Sequence, residues 1–376
     1  MSGRGQRCGS VVARHVSCAD SRGYTLIELL ISTMIMVVVT GAIFQLVNPS
    51  QATSQVQPEV QDMQQRMRVA ADSIFKDLVM AGAGPYQGSV TGSLLGFFAP
   101  ILPRRTGSLN PDPATTARTD AITLVYIPNS YSQTTISQAM PISSAELKVT
   151  NQPNCPQGED LCGFTIGDTV IIFDISGHFD TFTITNVQDA AGHLQHRDQN
   201  LSYDYDVGAS VTQAESHTYY LDTATNQLMH YDGGTDAPQP IADNVVGLRF
   251  DYYGDPAPPS RPKPPLGTAN CLYDAAGNFV GGMSTLTTGG GSLSPLPVSM
   301  FTDGPWCGAG SNMFDADLYR VRKVKVTLRV QTPVSALRGL DATLFQNPGT
   351  AKSGQKYIPD LVTAFEVSPR NMNLTR

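Results

Sequence analysis

A single carboxylate, that of Glu28, lies near the start of an otherwise uncharged apolar run from Tyr24 to Val47. A charge at the centre of a membrane helix costs about 2.5–3.5 kcal/mol, so a charge inside such a run usually marks function. If the chain is cut after Gly23, Tyr24 acquires a free ammonium group, and Glu28 lies one helical turn away on the same face. The expected chemistry is charge neutralisation, either of the chain's own amine or of an amine on a neighbouring helix displaced along the axis.

The polar motifs elsewhere in the sequence do not indicate an enzyme. The sequence contains no HExxH, no Walker-type phosphate loop, no GxSxG and no dinucleotide fingerprint. Ser73 and Lys76 match S-x-x-K, a pattern so short that chance explains it. His193 and His196, with Asp189 and Asp198 nearby, could imitate a metal cluster, but we favour a solvated hairpin tip. We interpret residues 222–226 as a hairpin turn, with a calcium site as the less favoured alternative. We therefore expect no enzymatic activity, no cofactor and no metal.

The seven residues from Gly23 to Leu29, GYTLIEL, closely resemble the prepilin cleavage and methylation motif of type IV pilins and type II secretion pseudopilins. The resemblance implies that Gly23 precedes the scissile bond, that Tyr24 becomes the N-methylated terminus, and that Glu28 directs subunits into the filament. It also implies two kinds of partner, a prepilin peptidase and other major and minor pilins or pseudopilins. An ordinary secretory signal ends its short apolar region at the cleavage site, whereas here the cut precedes the apolar run.

The apolar run from residue 24 to 47 is long enough to span a membrane. At about 1.5 Å per residue it measures roughly 36 Å, against a hydrocarbon core of about 30 Å. Residues 1–23 form a basic leader, longer than is usual for the type IVa pilins that it resembles, so either the true start lies further along the chain or this is a long-leader variant. The leader holds four of the 25 basic and one of the 32 acidic residues, so the remainder has 21 and 31, a formal net charge of −10.

This charge distribution predicts a topology and a class of partner. A basic segment before a membrane helix indicates a cytoplasmic N-terminus, and therefore a single-pass inner-membrane protein in contact with lipid before assembly. After assembly the chain is expected in an extracellular pilus or a periplasmic pseudopilus. The acidic remainder argues against nonspecific nucleic-acid binding.

Four of the six cysteines lie beyond the apolar run, where oxidation is possible. Three pairings of four cysteines exist. We favour the local pairing of Cys155 with Cys162, which enclose a short loop, and of Cys271 with Cys307, which bracket a Gly-rich loop. A zinc site is the competing interpretation, but neither spacing matches a C-x2-C knuckle.

The helix is predicted to continue beyond the membrane run, over residues 48–82. Apolar residues recur there at intervals of three or four, and a Gly-rich stretch ends the pattern after Ala81. This second half is expected to lay one face on a soluble domain. The segment from Arg66 to Gly82 is similar to one found in PilW-like minor pilins and GspJ-type pseudopilins.

Residues 83–376 are predicted to form a β-rich globular domain, because the periodicity changes to two. The predicted strands are Asp120–Ile127, Thr169–Asp174, Phe179–Val187, His217–Asp222, Gln227–Tyr231, Val245–Tyr253, Tyr319–Gln331 and Leu361–Val367. Residues 254–314 are rich in Pro and Gly and are expected to form a surface excursion between two paired strands, with the disulfide stapling its base. In the strand from Tyr319 to Gln331, one face is cationic, through Lys323, Lys325 and Arg329. That face either docks an acidic neighbouring subunit or is a solvated outer surface.

The fold class expected from these patterns is α+β, with one long N-terminal helix on an antiparallel β-rich domain, as in pilins. The function implied by the resemblance is that of a PilW-like minor type IV pilin, acting as a tip or priming subunit. Two alternatives remain open. One is a GspJ-type pseudopilin of type II secretion, and the other is a pilus-mounted adhesin that uses residues 254–314 for binding.

Overall fold

The structure is a computed structural model that describes residues 25–374, apart from residues 87–90, 108, 153–154, 159, 235, 289–290 and 353–355. For residues 46–55 it describes the backbone alone. The chain divides into two compact units, Met1–Gln55 and Val56–Arg376, and a 55-residue helix, α1 (Leu26–Met80), contributes to both. The prediction of an α+β fold with a long N-terminal helix and antiparallel sheets is confirmed.

Helix α1 ends where the sequence places glycine. Met80 is its last residue, and Gly82 follows in the left-handed region with φ +75°, a conformation that only glycine adopts without strain. A Cβ atom at Gly82 would also lie 2.7 Å from the sulfur of Met372. The backbone N–H of Gly82 donates to the carbonyl of Val125 at 3.1 Å, which fixes the end of the helix against a strand.

Among the described residues, eighteen strands follow the helix. In chain order they are β1 Ile101–Leu102, β2 Ala121–Tyr126, β3 Gln133–Thr135, β4 Glu146–Lys148, β5 Thr169–Phe173, β6 Phe179–Thr183, β7 Asn186–Gln188, β8 His193–Gln195, β9 Ser210–Gln213, β10 Glu215–Asp222, β11 Gln227–Tyr231, β12 Gln239–Asp243, β13 Val245–Gly254, β14 Ser294–Leu296, β15 Trp306–Cys307, β16 Phe314–Asp315, β17 Val321–Val330 and β18 Leu361–Val367. Short 3-10 turns occur at Leu94–Gly96, Asp189–Ala191, Val298–Phe301, Gly310–Asn312, Ala316–Arg320, Ser335–Leu337 and Asn371–Asn373.

These strands form four antiparallel sheets and one two-stranded ribbon. The first sheet has the order β1-β2-β10-β11-β12, and the second has the order β14-β13-β17-β18. The third and fourth have the orders β3-β9-β5-β6 and β4-β8-β7, and β15 pairs with β16. Since β2 and β10 are neighbours in the first sheet, the chain between them folds as an insertion.

The main core joins the second half of α1 to the first two sheets. The helix contributes a buried stripe with the spacing of three and four that an amphipathic helix requires, namely Met63, Met67, Ala70, Ile74, Leu78 and Ala81. Strand β17 contributes Val324, Val326, Leu328 and Val330, all fully buried. The amphipathic period in the sequence therefore identified the packed face of the helix.

The insertion between β2 and β10 has a core of its own. The third and fourth sheets supply most of it, and its largest buried side chains include Phe182, Tyr205 and Phe164. The sequence predicted a single strand at Phe179–Val187, and this prediction is wrong. The segment forms β6 and β7, which belong to different sheets, because β6 pairs with β5 and β7 pairs with β8.

The interpretation of His193 and His196 as a solvated hairpin tip is also wrong. His193 begins β8, the central strand of the fourth sheet, and His196 is fully buried. Its Nδ1 lies 2.9 Å from the carbonyl oxygen of Gln199. Burial lowers the pKa of His196, which favours the neutral imidazole. Strand β4, some fifty residues earlier, pairs with β8, and nothing in the local sequence indicates that pairing.

Candidate functional site

The first turn of α1 holds Glu28 in a defined position. The backbone N–H and the hydroxyl of Thr25 both donate to Oε2 of Glu28, each at 2.9 Å. In return the hydroxyl of Thr25 accepts from the N–H of Glu28 at 3.3 Å. Thr25 is the residue before the helix and Glu28 is its third residue, so the pair forms a capping box, in which each side chain satisfies a backbone N–H of the other.

The sequence analysis identified Glu28 but missed Thr25. The signal was present, since a Thr-x-x-Glu pattern directly before an apolar run is typical of a capping box. The cap gives the carboxylate a structural role, in addition to the neutralisation of an amine. Gly23 and Tyr24, the residues of the predicted cleavage, lie outside the described residues.

The helix that follows Glu28 is apolar on every side. Residues Leu26–Gln45 have a mean hydropathy of 2.3, and all of their side chains are exposed. Two hydroxyls in this stretch donate to the helix's own backbone, Ser32 to the carbonyl of Glu28 at 2.7 Å and Thr33 to that of Leu30 at 2.9 Å. By length and composition this segment can cross a bilayer, because a helix satisfies its backbone internally and these two hydroxyls also bond within it.

Both favoured disulfides are present in the structure. Cys155 is bonded to Cys162 and Cys271 to Cys307, with Cα–Cα distances of 5.4 and 5.0 Å. Cys307 is buried in the main core. The second disulfide thus joins two points of the segment 254–314 to each other, one of them in the main core.

The expectation that residues 254–314 form a surface excursion is wrong for much of the segment. Its two flanking strands, β13 and β17, do pair with each other. However, Leu272, Leu296, Phe301 and Phe314 all enter the main core. The composition of the segment could not indicate this burial. Its Pro and Gly residues predict an irregular backbone, whereas the burial comes from isolated apolar side chains.

A buried arginine fastens the same segment. Arg320, with 1% of its side chain exposed, donates to the carbonyls of Pro256 and Ser284, each at 2.8 Å, and its Nε lies 2.6 Å from Oδ1 of Asp317. The sequence analysis placed Arg320 within a predicted strand, whereas it ends a 3-10 turn before β17, and no local pattern indicates its role. Leu266 and Val280 remain 81% and 55% exposed on the same segment.

The cationic face of β17 is largely neutralised within the chain. Lys323 pairs with Glu366 at 2.7 Å and lies 4.5 Å from the ring centre of Tyr253, while Arg329 pairs with Asp360 at 2.7 Å. These contacts favour the interpretation of this face as an outer surface of the domain over that of a docking site for an acidic neighbour.

In the hairpin turn at residues 222–226, the side-chain oxygen atoms accept hydrogen bonds from the turn itself. Asp222 accepts from the N–H of Ala224 at 2.9 Å and from the hydroxyl of Thr225 at 2.8 Å. Asn226 has φ +54°, as a tight turn requires. This geometry is that of a hairpin turn, the interpretation favoured from the sequence.

Comparison with known proteins agrees with the N-terminal motif. Residues 18–44 match the family described as the prokaryotic N-terminal methylation motif. The chain therefore carries this motif, and the match includes Gly23, Tyr24, Thr25 and Glu28. A comparison with curated proteins finds no significant match. Among solved structures, a type IV-like pilin from Thermus thermophilus aligns over 55% of this chain and 87% of its own, with 11% identity and a TM-score of 0.18, too low to establish a shared fold.

Proposed function

We propose that this chain is a prepilin of the PilW-like minor type. A prepilin peptidase cleaves it between Gly23 and Tyr24 and methylates Tyr24, and the apolar half of α1 then carries the chain into a filament. The observation that carries this proposal is the methylation motif at residues 18–44, directly before an apolar helix whose first turn holds Glu28. No catalytic role is needed for the chain itself, which is the substrate of the processing enzyme.

Two environments are proposed for the apolar segment in turn. Twenty helical residues measure about 30 Å, the thickness of a bilayer core, so the segment suits the inner membrane before assembly. The basic leader favours a cytoplasmic N-terminus. In the filament, the apolar side chains that faced lipid would pack against the helices of neighbouring subunits, so an all-round apolar surface suits both states.

Glu28 is proposed to set the axial position of each subunit. Cleavage leaves an ammonium group on Tyr24, next to the cap formed by Thr25 and Glu28. In the apolar interior of a filament an unpaired carboxylate is costly, so it would seek the ammonium group of its own or a neighbouring subunit. Because the cap already orients the carboxylate, little conformational freedom is lost when that pair forms.

The size of the globular unit, Val56–Arg376, supports a minor subunit. A domain this large at every position would crowd a thin filament, whereas at a tip or as a priming subunit it meets no such limit. A second candidate, an adhesin mounted on the pilus, is favoured by the exposed apolar side chains of Leu266 and Val280 on a segment fastened by Arg320 and a disulfide.

Quantitative mass spectrometry of filaments sheared from the cell surface tests this proposal. We expect the chain in the sheared fraction, beginning at methylated Tyr24 and much scarcer than the main subunit. A processed chain confined to the envelope would indicate a secretion pseudopilus instead. An uncleaved leader in both fractions would refute processing altogether.

The adhesin alternative needs its own variant. The double substitution Leu266→Ser and Val280→Ser removes exposed side chains and leaves the buried anchors in place. If the segment binds a surface, adhesion of the cells falls while the amount of chain in filaments is unchanged. If the amount in filaments falls instead, the segment serves assembly.

A further inference from the structure

A compact group of polar side chains lies between the last turns of α1 and the first sheet. Asp77, 5% exposed, comes from the helix, while His217 on β10 and His230 on β11 come from the sheet. One ligand atom from each of the three lies within 4.8 Å of the other two. Nδ1 of His217 is 2.8 Å from Nε2 of His230 and 3.7 Å from Oδ2 of Asp77.

The opposite edge of His217 has partners that orient the ring. Its Nε2 lies 3.1 Å from Oε2 of Glu215 and 3.1 Å from the hydroxyl of Tyr126. A carboxylate accepts a proton but does not donate one, so Nε2 carries the hydrogen and Nδ1 presents its lone pair to Asp77 and His230. A histidine held by a carboxylate on one nitrogen, with the other nitrogen turned toward further ligand atoms, is an arrangement found at protein zinc sites.

Asp77 is oriented in the same way. The hydroxyl of Tyr219 donates to its Oδ2 at 2.5 Å, and the hydroxyl oxygen of Tyr126 lies 3.3 Å from its Oδ1. The hydroxyl of Tyr126 also contacts Glu215 at 2.8 Å. Asp77 and Glu215 bring two negative charges to a partly buried site, and a divalent cation balances both.

We propose that Asp77, His217 and His230 bind a divalent transition-metal ion of the zinc type. Two imidazole nitrogens and one carboxylate oxygen are ligands that Zn²⁺ accepts, and water completes a tetrahedral shell. The ion joins the last turns of α1 to two strands of the first sheet, and so it strengthens the attachment of the helix to the domain that the helix carries. This inference does not depend on the proposed function.

No spacing in the sequence indicates this site, because Asp77 and His217 are far apart along the chain. One signal was nevertheless available. Asp77 falls on the apolar stripe of the helix, beside Leu78 and three residues after Ile74, and a carboxylate on a buried stripe requires a partner.

Zinc content and cobalt absorption of the full-length chain in detergent test the proposal. The chain carries Cys8→Ser and Cys18→Ser, because thiols in the leader also bind zinc. After dialysis we expect one zinc per chain, a higher Tm with zinc than with chelator, and visible d–d absorption from a tetrahedral site when Co²⁺ replaces zinc. The proposal is overturned if the chain with Asp77, His217 and His230 intact retains no zinc and shows no Co²⁺ absorption that is lost when zinc is added.

Variants then locate the ion. His217→Gln keeps a hydrogen-bond donor toward Glu215 while it removes Nδ1, and His230→Asn removes Nε2, so each should abolish stoichiometric binding. Glu215→Gln, which removes the carboxylate that orients His217 and one negative charge near the ion, should weaken binding by about 10–100-fold. The matched control is His193→Ala, since His193 also faces a carboxylate, that of Glu146 at 3.6 Å, but belongs to the fourth sheet.

Each outcome of the variant experiments either supports or overturns the proposed site. Zinc retained by His193→Ala and lost from both of the other histidine variants supports the site. Equal zinc in all the folded variants places the ion elsewhere and refutes the assignment. If a variant loses its native circular dichroism, the histidine-to-cobalt signals of the wild-type chain in paramagnetic NMR decide: two coordinated imidazoles support the site, and fewer than two overturn it.

Discussion

Glu28 accepts two hydrogen bonds from Thr25, so its carboxylate stabilises the helix start independently of any assembly. Glu28 therefore has two possible roles, as a helix cap and as a charge partner. The two roles predict different effects of a Glu28→Gln substitution. Glutamine can replace glutamate in a capping box, but it carries no charge. The choice of substitution separates the two roles.

We predict that Glu28→Gln and Glu28→Ala are both cleaved at near-normal levels but enter filaments severalfold less than the wild-type chain. Loss of the charge explains both results, since the glutamine variant keeps the cap. The measurement is the ratio of this chain to the main subunit in sheared filaments. Thr25→Ala is the control, because it weakens the cap and keeps the carboxylate. If Glu28→Gln assembles normally and Thr25→Ala does not, the cap and not the charge governs assembly.

Asp317 is a second residue with an unusual environment. Burial raises its pKa to about 6, with smaller contributions from Asp315 and Asp303 and against the opposing effect of the Arg320 guanidinium. The folded chain therefore binds this proton more tightly than the unfolded chain does. Its contribution to the free energy of unfolding is greatest at low pH and is lost as the pH rises to about 6.

We predict that this titration lowers the free energy of unfolding by about 2 kcal/mol between pH 4 and pH 6. Denaturant unfolding at several pH values in that interval measures the slope. Asp317→Asn is the comparison, because the amide cannot titrate, and its curve should be flatter over the same interval. Identical slopes in the two proteins would contradict the assignment to Asp317.

Among the secondary-structure elements, α1 combines two surfaces of different kinds. Between Leu26 and Gln45 its side chains are apolar and exposed, whereas between Val56 and Met80 it buries one stripe in the main core. Adjacent residues in the second part have opposite environments, since Leu78 is fully buried and Val79 is 40% exposed. This contrast allows a test within one helical turn.

We predict that Leu78→Ala lowers the free energy of unfolding by about 2–5 kcal/mol, because it removes buried atoms and leaves a cavity. Val79→Ala should change it by less than about 0.5 kcal/mol, as is usual at exposed positions. Thermal unfolding of the full chain in detergent, followed by near-UV circular dichroism, measures both. Equal effects of the two substitutions would show that the stripe is not the packed face.

At the scale of the whole molecule, covalent and buried polar contacts compensate for long irregular segments. Within the segment 254–314 the disulfide Cys271–Cys307 closes a loop whose Cys307 end is buried in the main core, and Arg320 joins the segment to the domain through hydrogen bonds. The other disulfide, Cys155–Cys162, closes a loop of only seven residues, against 36 for the first. The two should therefore differ in how strongly they restrict the unfolded chain.

We predict that replacing Cys271 and Cys307 by serine destabilises the protein more than replacing Cys155 and Cys162. The chain-entropy difference between the two loop lengths is about 1.5 kcal/mol. Guanidinium unfolding of the two double variants and the wild-type chain measures it. Equal midpoints, or the reverse order, would mean that loop entropy does not control the stability of this segment.

The sequence by itself determined the features that depend on neighbouring residues. These are the N-terminal motif with Glu28, the apolar run of membrane length, the amphipathic half of α1, and the strands β11 and β18 with their observed bounds. Each rests on a period or a short pattern that the backbone converts directly into a helix or a strand. The local disulfide pairing has the same origin, since residues close in sequence meet easily.

Tertiary structure alone decided what depends on distant segments. It separated Phe179–Val187 into two sheets, buried His196 under a strand from elsewhere, and brought Asp77 to His217 and His230. Burial and polar contact in these places are set by which strands pair, and strand pairing depends on residues tens of positions apart. No local pattern carries that information, so composition suggested an exposed loop where side chains such as Phe314 fill the core.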